Sequence, residues 1–208
     1  PDPARCSNGE GDDMLDALEA LPAPRTRDPR DAPVLRWGVL GVGRIGDSFA
    51  DALARHTDQR IVAVGSRDAD RAGRFAAAHG VDRAHGSYAD LVSDAAVDVV
   101  YVATEHVFHE EHALLALAAG RPVVVEKPFA LTEASARRIA DAARAAGVFA
   151  MEAMWTRYRP HADIVRQVVE SGGLGEIRLV TASFGGTTPF VAGDRLFDPA
   201  RGGGVLFD

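Results

Sequence analysis

The sequence predicts an α/β fold, a doubly wound parallel sheet that is followed by the beginning of an incomplete α+β second domain. Three observations predict it. Short apolar runs of strand type alternate with alanine-rich amphipathic runs over residues 35–152, which is typical of strands and helices of a parallel sheet. The first apolar run passes directly into closely spaced glycines. After residue 156 this alternation stops, and the chain becomes richer in glycine.

The first unit combines a strand, a glycine-rich turn and a helix. The strand is predicted over Leu35–Leu40, the glycines have the spacing Gly41-x-Gly43-x-x-Gly46, and an amphipathic run follows over Asp47–Arg55. In this context the first glycine allows a tight turn, the second lets a pyrophosphate approach the backbone, and the third lets the helix pack on the strand. The helix N-terminus then offers N–H groups and the positive end of its dipole to the anion. The alternative is a purely structural turn, since glycines also occur wherever φ is positive.

Two residues between the last two glycines, Arg44 and Ile45, belong to the same predicted cofactor-binding turn. Further strands are predicted over 60–65, 83–85, 97–103, 121–126 and 148–152, and further helices over 69–80, 88–92, 108–119 and 132–146. Asp68 and Thr132 are predicted to begin two of these helices, and Gly120 and Gly147 to end two. Six strands by Glu152 complete a Rossmann-type dinucleotide-binding domain, placed at residues 34–155.

The flanking segments differ from this domain in composition. Residues 1–33 are rich in Pro, Asp, Arg and Gly and are predicted to be a mobile leader, in which Met14–Leu21 is the one candidate helix. Residues 156–208 are predicted to begin a substrate or dimerisation domain, with a helix over His161–Ser171 and a β-rich run over Glu176–Phe184. A single strand cannot bury its own face, so this second domain is expected to be incomplete.

Composition limits the classes of partner. The chain has 208 residues, 47% hydrophobic and 25% charged, with a formal net charge of -7, which is ordinary for a globular protein and argues against nucleic acid or an anionic membrane as the main partner. Cys6 is the only cysteine, which excludes a disulfide within the chain. No apolar run is long enough for a membrane span, and the polar, acidic start does not resemble a signal peptide. A cytoplasmic location is therefore expected.

The end of the second strand indicates which nicotinamide cofactor binds. NAD-binding chains usually place an acidic residue there, about twenty residues after the glycines, to bind the ribose 2′-hydroxyl. This chain has Ser66 and Arg67 instead, which can donate hydrogen bonds to a 2′-phosphate. The sequence therefore predicts NADP, with NAD less favoured. The alternative is that Arg67 is solvated and Asp68 reaches the ribose.

Polar residues follow the fourth strand, where ligands of an open sheet bind. Thr104 and His106 are interpreted as cofactor-side groups, whereas His109 can be merely structural. A metal site formed by His106, His109 and His112 is disfavoured. Three helical residues at intervals of three spread over about 120° around the helix axis, which makes a shared tetrahedral site awkward. No metal is predicted.

The fifth strand ends in Glu126-Lys127-Pro128. An ammonium held at this point can bind a substrate oxygen or the nicotinamide ribose and can stabilise a developing alkoxide. Lys127 is therefore the predicted catalytic residue, and it is also predicted to contact the cofactor. Glu126 is predicted to contact the ribose or to pair with Lys127. The alternative is a solvated lysine at a strand end.

These motifs resemble the Gfo/Idh/MocA family of oxidoreductases. The resemblance rests on the glycines, on Glu126-Lys127-Pro128 and on the segment Glu152–Arg157, and it covers residues 35–208. It implies hydride transfer between a nicotinamide cofactor and a hydroxyl of a sugar, polyol or cyclic diol. It also implies that Trp155 and Arg157 lie near the cofactor, that the Lys127–Pro128 bond is cis, and that the full-length protein is a homo-oligomer.

The resemblance stops before the family pattern is complete. In relatives the glycines of Gly202–Gly204 lead to an Asp and then to a Tyr or His that is the expected general acid/base, and this chain ends at Asp208. We therefore expect a fragment that binds a dinucleotide but catalyses poorly. A non-catalytic NADP-binding module is the alternative from another functional class, and a nucleotide-dependent transferase is a weaker one.

Overall fold

A computed structural model describes residues 21–204 and confirms the doubly wound α/β fold. Its strands are β1 (Arg36–Leu40), β2 (Arg60–Gly65), β3 (Arg83–His85), β4 (Val99–Val102), β5 (Val123–Glu126) and β6 (Ala150–Ala153). Its α-helices are α1 (Arg44–His56), α2 (Ala69–His79), α3 (Tyr88–Ser93), α4 (His109–Ala118), α5 (Glu133–Ala146) and α6 (Pro160–Glu170). All neighbouring strands are parallel, in the order β3-β2-β1-β4-β5-β6.

The sheet has an apolar layer on each face, because successive side chains of a strand point to opposite sides. Val39 packs with α1 and α2 around Phe75, whereas the next residue, Leu40, packs with α3, α4 and α5 around Leu117 and Ile139. The two central strands, β1 and β4, are therefore almost wholly apolar, which is typical of a parallel sheet covered on both sides. The carboxyl ends of these parallel strands lie at one edge of the sheet, and that edge carries the candidate site.

The helix ends agree with the capping residues predicted from the sequence. The side chains of Asp68 and Thr132 accept hydrogen bonds from backbone N–H groups in the first turns of α2 and α5. Gly147, with φ of 66°, is the C-cap of α5, whereas Gly120, with φ of 71°, follows Ala119, the C-cap of α4. Helix α1 begins at Arg44, three residues earlier than predicted, so that Gly43 is its N-cap.

The described residues form two compact units. Residues 28–154 and 187–204 make up the unit that contains the sheet, and residues 21–27 and 155–186 make up the other. Residues 187–204, which the sequence analysis assigned to a second domain, thus cluster with the sheet. Two contacts join this segment to the loop after β4: Arg201 forms an ion pair with Glu105 at 2.7 Å, and the Gly202 carbonyl lies 3.0 Å from His106 Nδ1. The role of a substrate domain stays a prediction.

In the smaller unit, Arg25 of the expected leader is bound to α6. Its backbone N–H donates to Asp163 Oδ2 at 2.6 Å, and its guanidinium lies 3.1 Å from Asp163 Oδ1. Asp163 is only 2% exposed, and these bonds, together with Arg166, hold the pKa of its carboxyl well below the usual range. Residues 14–20 of the candidate leader helix lie outside the described residues.

The prediction of a β-rich run over Glu176–Phe184 is wrong. These residues have no regular secondary structure, and Val180 and Phe184 are 79% and 90% exposed. A strand needs a neighbour to bind its backbone N–H and C=O groups, and the alternation of apolar residues cannot supply one. Helix α6, in contrast, agrees with the prediction to within one residue. Nowhere in residues 21–204 is a helix long and apolar enough to cross a membrane.

Candidate functional site

One cleft lies at the carboxyl edge of the sheet, where the strand order reverses beside β1, and we call it the main cleft because predicted site residues line it. It has a volume of about 290 Å³. Its lining residues come from the glycine turn, from the ends of β4 and β5 and from the 187–204 segment: Gly43, Arg44, Ile45, Ala103, Thr104, Glu105, His106, Glu126, Lys127 and Arg195. Ligands of open α/β sheets bind at such a reversal. Six residues predicted to bind the cofactor beyond the glycines are thus brought to one place.

Each glycine of the turn has a distinct steric reason. Gly41 has φ of +112°, and a Cβ there would lie 2.8 Å from the Ala103 carbonyl oxygen. A Cβ on Gly46 would lie 2.7 Å from the Gly41 oxygen, so this glycine lets α1 pack on the strand. A Cβ on Gly43 meets nothing within 4 Å and would extend into open space. That open space at the start of α1 fits the pyrophosphate of a dinucleotide.

A side cleft of about 150 Å³ adjoins the other side of the glycine turn. It is lined by Gly41, Val42, Gly43, Arg67, Arg71, Tyr88, Ala103, Thr104, Glu105 and Phe108. Arg67 precedes the N-cap of α2 and Arg71 lies in its first turn, and the two guanidinium groups supply the positive charge of this cleft. Ser66, in contrast, is buried, its hydroxyl accepts a hydrogen bond from Asp68 N–H at 3.2 Å, and it does not line this cleft. The Asp68 carboxylate is engaged as the N-cap of α2.

Glu126 is fixed by two donors at the end of β5. The Tyr101 hydroxyl donates to Oε1, and the backbone N–H of Lys127 donates to Oε2 at 3.1 Å. Burial, followed by the nearby Glu126 charge, raises the pKa of Tyr101, so its hydroxyl stays a donor. The Lys127–Pro128 bond is cis, as the resemblance implied. Glu126 therefore binds the backbone of Lys127 and also lines the main cleft.

Two histidines connect the loop after β4 to its surroundings. The fully buried His109 has Nδ1 2.7 Å from the Pro128 carbonyl oxygen and Nε2 3.0 Å from the Thr104 carbonyl oxygen. Burial lowers the pKa of His109, so the ring is neutral and donates to one of the two carbonyls. His106 lines the main cleft, and its Nδ1 lies 3.3 Å from Arg195 Nη1. His109 thus ties the Lys127–Pro128 turn to the end of β4.

The remaining predicted residues are placed as follows. Trp155 and Arg157 belong to the smaller unit, in which the Arg159 guanidinium lies 5.0 Å from the centre of the Trp155 ring. Their proximity to the cofactor stays a prediction. Among residues 21–204, no group of three or more His, Cys, Asp or Glu side chains could hold a metal ion. His112, the third histidine considered, binds Thr104 Oγ1 through Nδ1 at 2.9 Å.

Sequence reasoning missed several residues that line the two clefts, among them Arg71, Phe108 and Arg195. Arg71 could have been found, because it lies in the first turn of the helix that begins directly after Arg67 and Asp68. Phe108 lies at the end of the 3-10 turn His106–Phe108, and its type alone gave no signal. Arg195 lies in a glycine-rich segment that carries no motif, so only the tertiary structure shows that it reaches the main cleft.

Removing the Tyr101 hydroxyl should destabilise the protein. We expect Tyr101→Phe to lower the free energy of unfolding by about 1–3 kcal/mol, because the residue is 3% exposed and the Glu126 oxygen would lose its donor. Urea denaturation measures the change. Tyr158→Phe, at an exposed tyrosine, is the matched control and should change stability by less than about 0.5 kcal/mol. Equal stabilities of the Tyr101 variant and the parent would contradict the assignment.

Comparison with known proteins agrees with this geometry. Residues 35–154 match the GFO_IDH_MocA family, described as an oxidoreductase family with an NAD-binding Rossmann fold. The chain is 40% identical over 176 residues to trans-1,2-dihydrobenzene-1,2-diol dehydrogenase of Macaca fascicularis, covering 84% of this chain and 52% of the relative. The human protein of the same name is 39% identical over the same length and coverage. The chain thus spans about half the length of these curated relatives.

Solved structures are similar as well. An NAD-binding oxidoreductase from Klebsiella pneumoniae superposes with a TM-score of 0.65 at 35% identity, over 69% of this chain and 40% of that one. KijD10, a 3-ketoreductase from Actinomadura kijaniata in complex with NADP, has a TM-score of 0.62 at 33% identity, over 70% of this chain and 47% of that one. The family match, the relatives and the glycine turn on its parallel sheet agree. The chain belongs to the Gfo/Idh/MocA oxidoreductase family and carries its NAD(P)-binding Rossmann fold.

Proposed function

We propose that this chain forms the cofactor-binding part of an NADP-dependent oxidoreductase that acts on a hydroxyl of a sugar, polyol or cyclic diol. One observation carries the proposal. The main cleft joins the open space at Gly43 to the Lys127 turn, so that a single extended ligand can contact both. The proposed partner is accordingly a small molecule, and a homo-oligomeric full-length protein in the cytoplasm stays a prediction.

The residues of the main cleft have separate proposed roles. The N–H groups at the start of α1, with Gly43, Arg44 and Ile45, bind the pyrophosphate. Thr104, His106 and Glu126 contact the remainder of the cofactor on the β4 and β5 side. When bound, the nicotinamide accepts or donates the hydride. Lys127 binds the substrate oxygen and stabilises the negative charge that develops on it.

The side cleft supports NADP over NAD. Arg67 and Arg71 both line it, and Asp68, the carboxylate that could bind a ribose hydroxyl, is already used to cap α2. Two guanidinium groups suit a 2′-phosphate, which carries up to two negative charges. Ser66 is proposed to support cofactor binding indirectly. Its hydroxyl accepts a hydrogen bond from Asp68 N–H and so orders the turn that carries Arg67.

Reversing the charge of Arg67 should change cofactor selectivity. We expect Arg67→Glu to weaken NADPH binding by about 100-fold and NADH binding by less than about threefold. Only NADPH has a 2′-phosphate, which would lose its contact with the arginine and be repelled by the new carboxylate. Fluorescence titration of both reduced cofactors measures the ratio. Arg74→Glu, on an exposed arginine of α2 that does not line the side cleft, is the control for net charge. Equal losses for the two cofactors would refute the NADP proposal.

The substrate class rests on the relatives, whose names specify a dihydrobenzenediol dehydrogenase and a 3-ketoreductase. The test is the reduction of NADP⁺ in the presence of a cyclic trans-diol, an inositol or an aldopentose. It is made with this sequence continued to the length of its curated relatives. Tight NADPH binding without turnover of any of these alcohols would favour a non-catalytic NADP-binding module instead.

A further inference from the structure

Arg67 lies against an aromatic wall of the side cleft. Its guanidinium carbon is 5.1 Å from the centre of the Phe108 ring, within the range of a cation–π contact. Within residues 21–204 the Arg67 side chain has no carboxylate partner, so the ring face is the contact that orients it. Because Arg67 itself is exposed, its long side chain would otherwise sample many rotamers in solvent.

Phe108 is in turn held by the ring of His112, which itself contacts Tyr88. Its ring stacks on His112, with centroids 5.6 Å apart and planes inclined by 25°, and Tyr88 packs edge-on against His112 at 4.5 Å. We call these three residues, Tyr88, Phe108 and His112, the aromatic stack. His112 is fixed by its Nδ1 contact with Thr104 Oγ1 at 2.9 Å. The stack therefore connects the arginine to the end of β4, which the sheet holds in place.

The imidazole behind Phe108 is uncharged at neutral pH. Burial, followed by the charge of Arg67, lowers the pKa of His112 to about 4. A neutral ring does not repel the guanidinium on the far side of Phe108. The stack thus presents to the arginine an uncharged aromatic ring, whose face attracts a cation. It contains no anion that a ligand phosphate would have to displace.

We propose that Phe108 is a positioning residue for cofactor selectivity: it holds the Arg67 guanidinium at the side cleft so that a 2′-phosphate meets an already oriented donor. This inference rests on the proposed binding of NADP by Arg67. Ordering a flexible cation before the ligand arrives removes a cost that binding would otherwise include. The benefit applies only to ligands that use Arg67, and NADPH has the phosphate that does so whereas NADH lacks it.

The test compares Phe108→Leu with Phe108→Tyr in titrations of the intact chain with NADPH and NADH. We expect Phe108→Leu to raise the NADPH dissociation constant about 5- to 10-fold and that of NADH less than twofold, and Phe108→Tyr to retain the parent values because it keeps the ring face. Phe149→Leu, at an exposed phenylalanine that does not line the side cleft, is the matched control. If Phe108→Leu unfolds, Phe108→Met provides the same loss of the ring with a similar volume.

A double variant separates this inference from the function on which it rests. In an Arg67→Gln background, Phe108→Leu should have no further effect on NADPH, because the residue acts through the arginine. If Arg67→Gln alone weakens NADPH and NADH equally, the NADP proposal fails and this inference fails with it. If Arg67→Gln discriminates but Phe108→Leu weakens both cofactors equally or neither, only the positioning role is overturned, and equal weakening would indicate that Phe108 contacts the part common to both cofactors.

Discussion

Gly43→Val should reduce the affinity of this chain for NADPH by more than about 100-fold while leaving the fold intact. A Cβ at this position meets no protein atom within 4 Å, and the backbone is extended, with φ of -94° and ψ of 179°, which valine adopts readily. The added methyl groups would instead occupy the space proposed for the pyrophosphate. Fluorescence titration with NADPH measures the loss, and circular dichroism checks the fold. The N-cap change by itself should cost no more than about 1 kcal/mol of stability.

Gly46→Ala is the informative contrast for this prediction. Its Cβ would lie 2.7 Å from the Gly41 carbonyl oxygen, so the helix must move from the strand and the free energy of unfolding should fall by about 1–3 kcal/mol. Gly43→Val should therefore lose NADPH affinity and keep its stability, whereas Gly46→Ala should lose stability first. Unchanged NADPH affinity in Gly43→Val would mean that the glycine motif is only a structural turn.

Lys127→Met should lower turnover by about 100- to 1,000-fold with little change in NADPH affinity. The lysine follows β5 and lines the main cleft, where its proposed task is to stabilise charge on the substrate oxygen, and the loss of one such donor costs about this much in other enzymes. The rate is measured on this sequence continued to the length of its curated relatives, with NADP⁺ and the proposed diol, inositol and aldopentose substrates. Lys127→Arg keeps the charge but not the shape and should recover only part of the rate.

The sequence offers a second measurement that needs no turnover. Lys127 is the only lysine of the chain, since every other residue of the Lys and Arg set is arginine. An amine-acylating reagent should therefore modify only Lys127 and the α-amino group. NADPH should slow acylation of Lys127 and leave the terminus unaffected, as followed by peptide mass spectrometry. Undiminished acylation at saturating NADPH would show that Lys127 does not lie in the cofactor site.

The core of the fold was predictable because it depends on local patterns. Fully apolar runs such as that of β4 predict a strand buried on both faces, and capping residues such as Thr132 mark where helices begin. The glycine turn was equally predictable, since Gly41 and Gly46 meet steric conditions set by the neighbouring strand end and by the turn itself. The run over residues 176–184 was not, because a strand requires a partner that no alternation of side chains can specify.

What the sequence by itself determined is the six-stranded parallel sheet, the glycine turn and the strand ends that carry Thr104, Glu126 and Lys127. The tertiary structure decided which side chains surround them. It buried Ser66 away from the side cleft, brought Arg195 to the main cleft, and placed Phe108 beneath Arg67. The physical reason is the distance along the chain over which each interaction acts. Backbone conformation follows from neighbouring residues, whereas a contact such as that of Arg201 with Glu105, 96 residues apart, depends on how the elements pack.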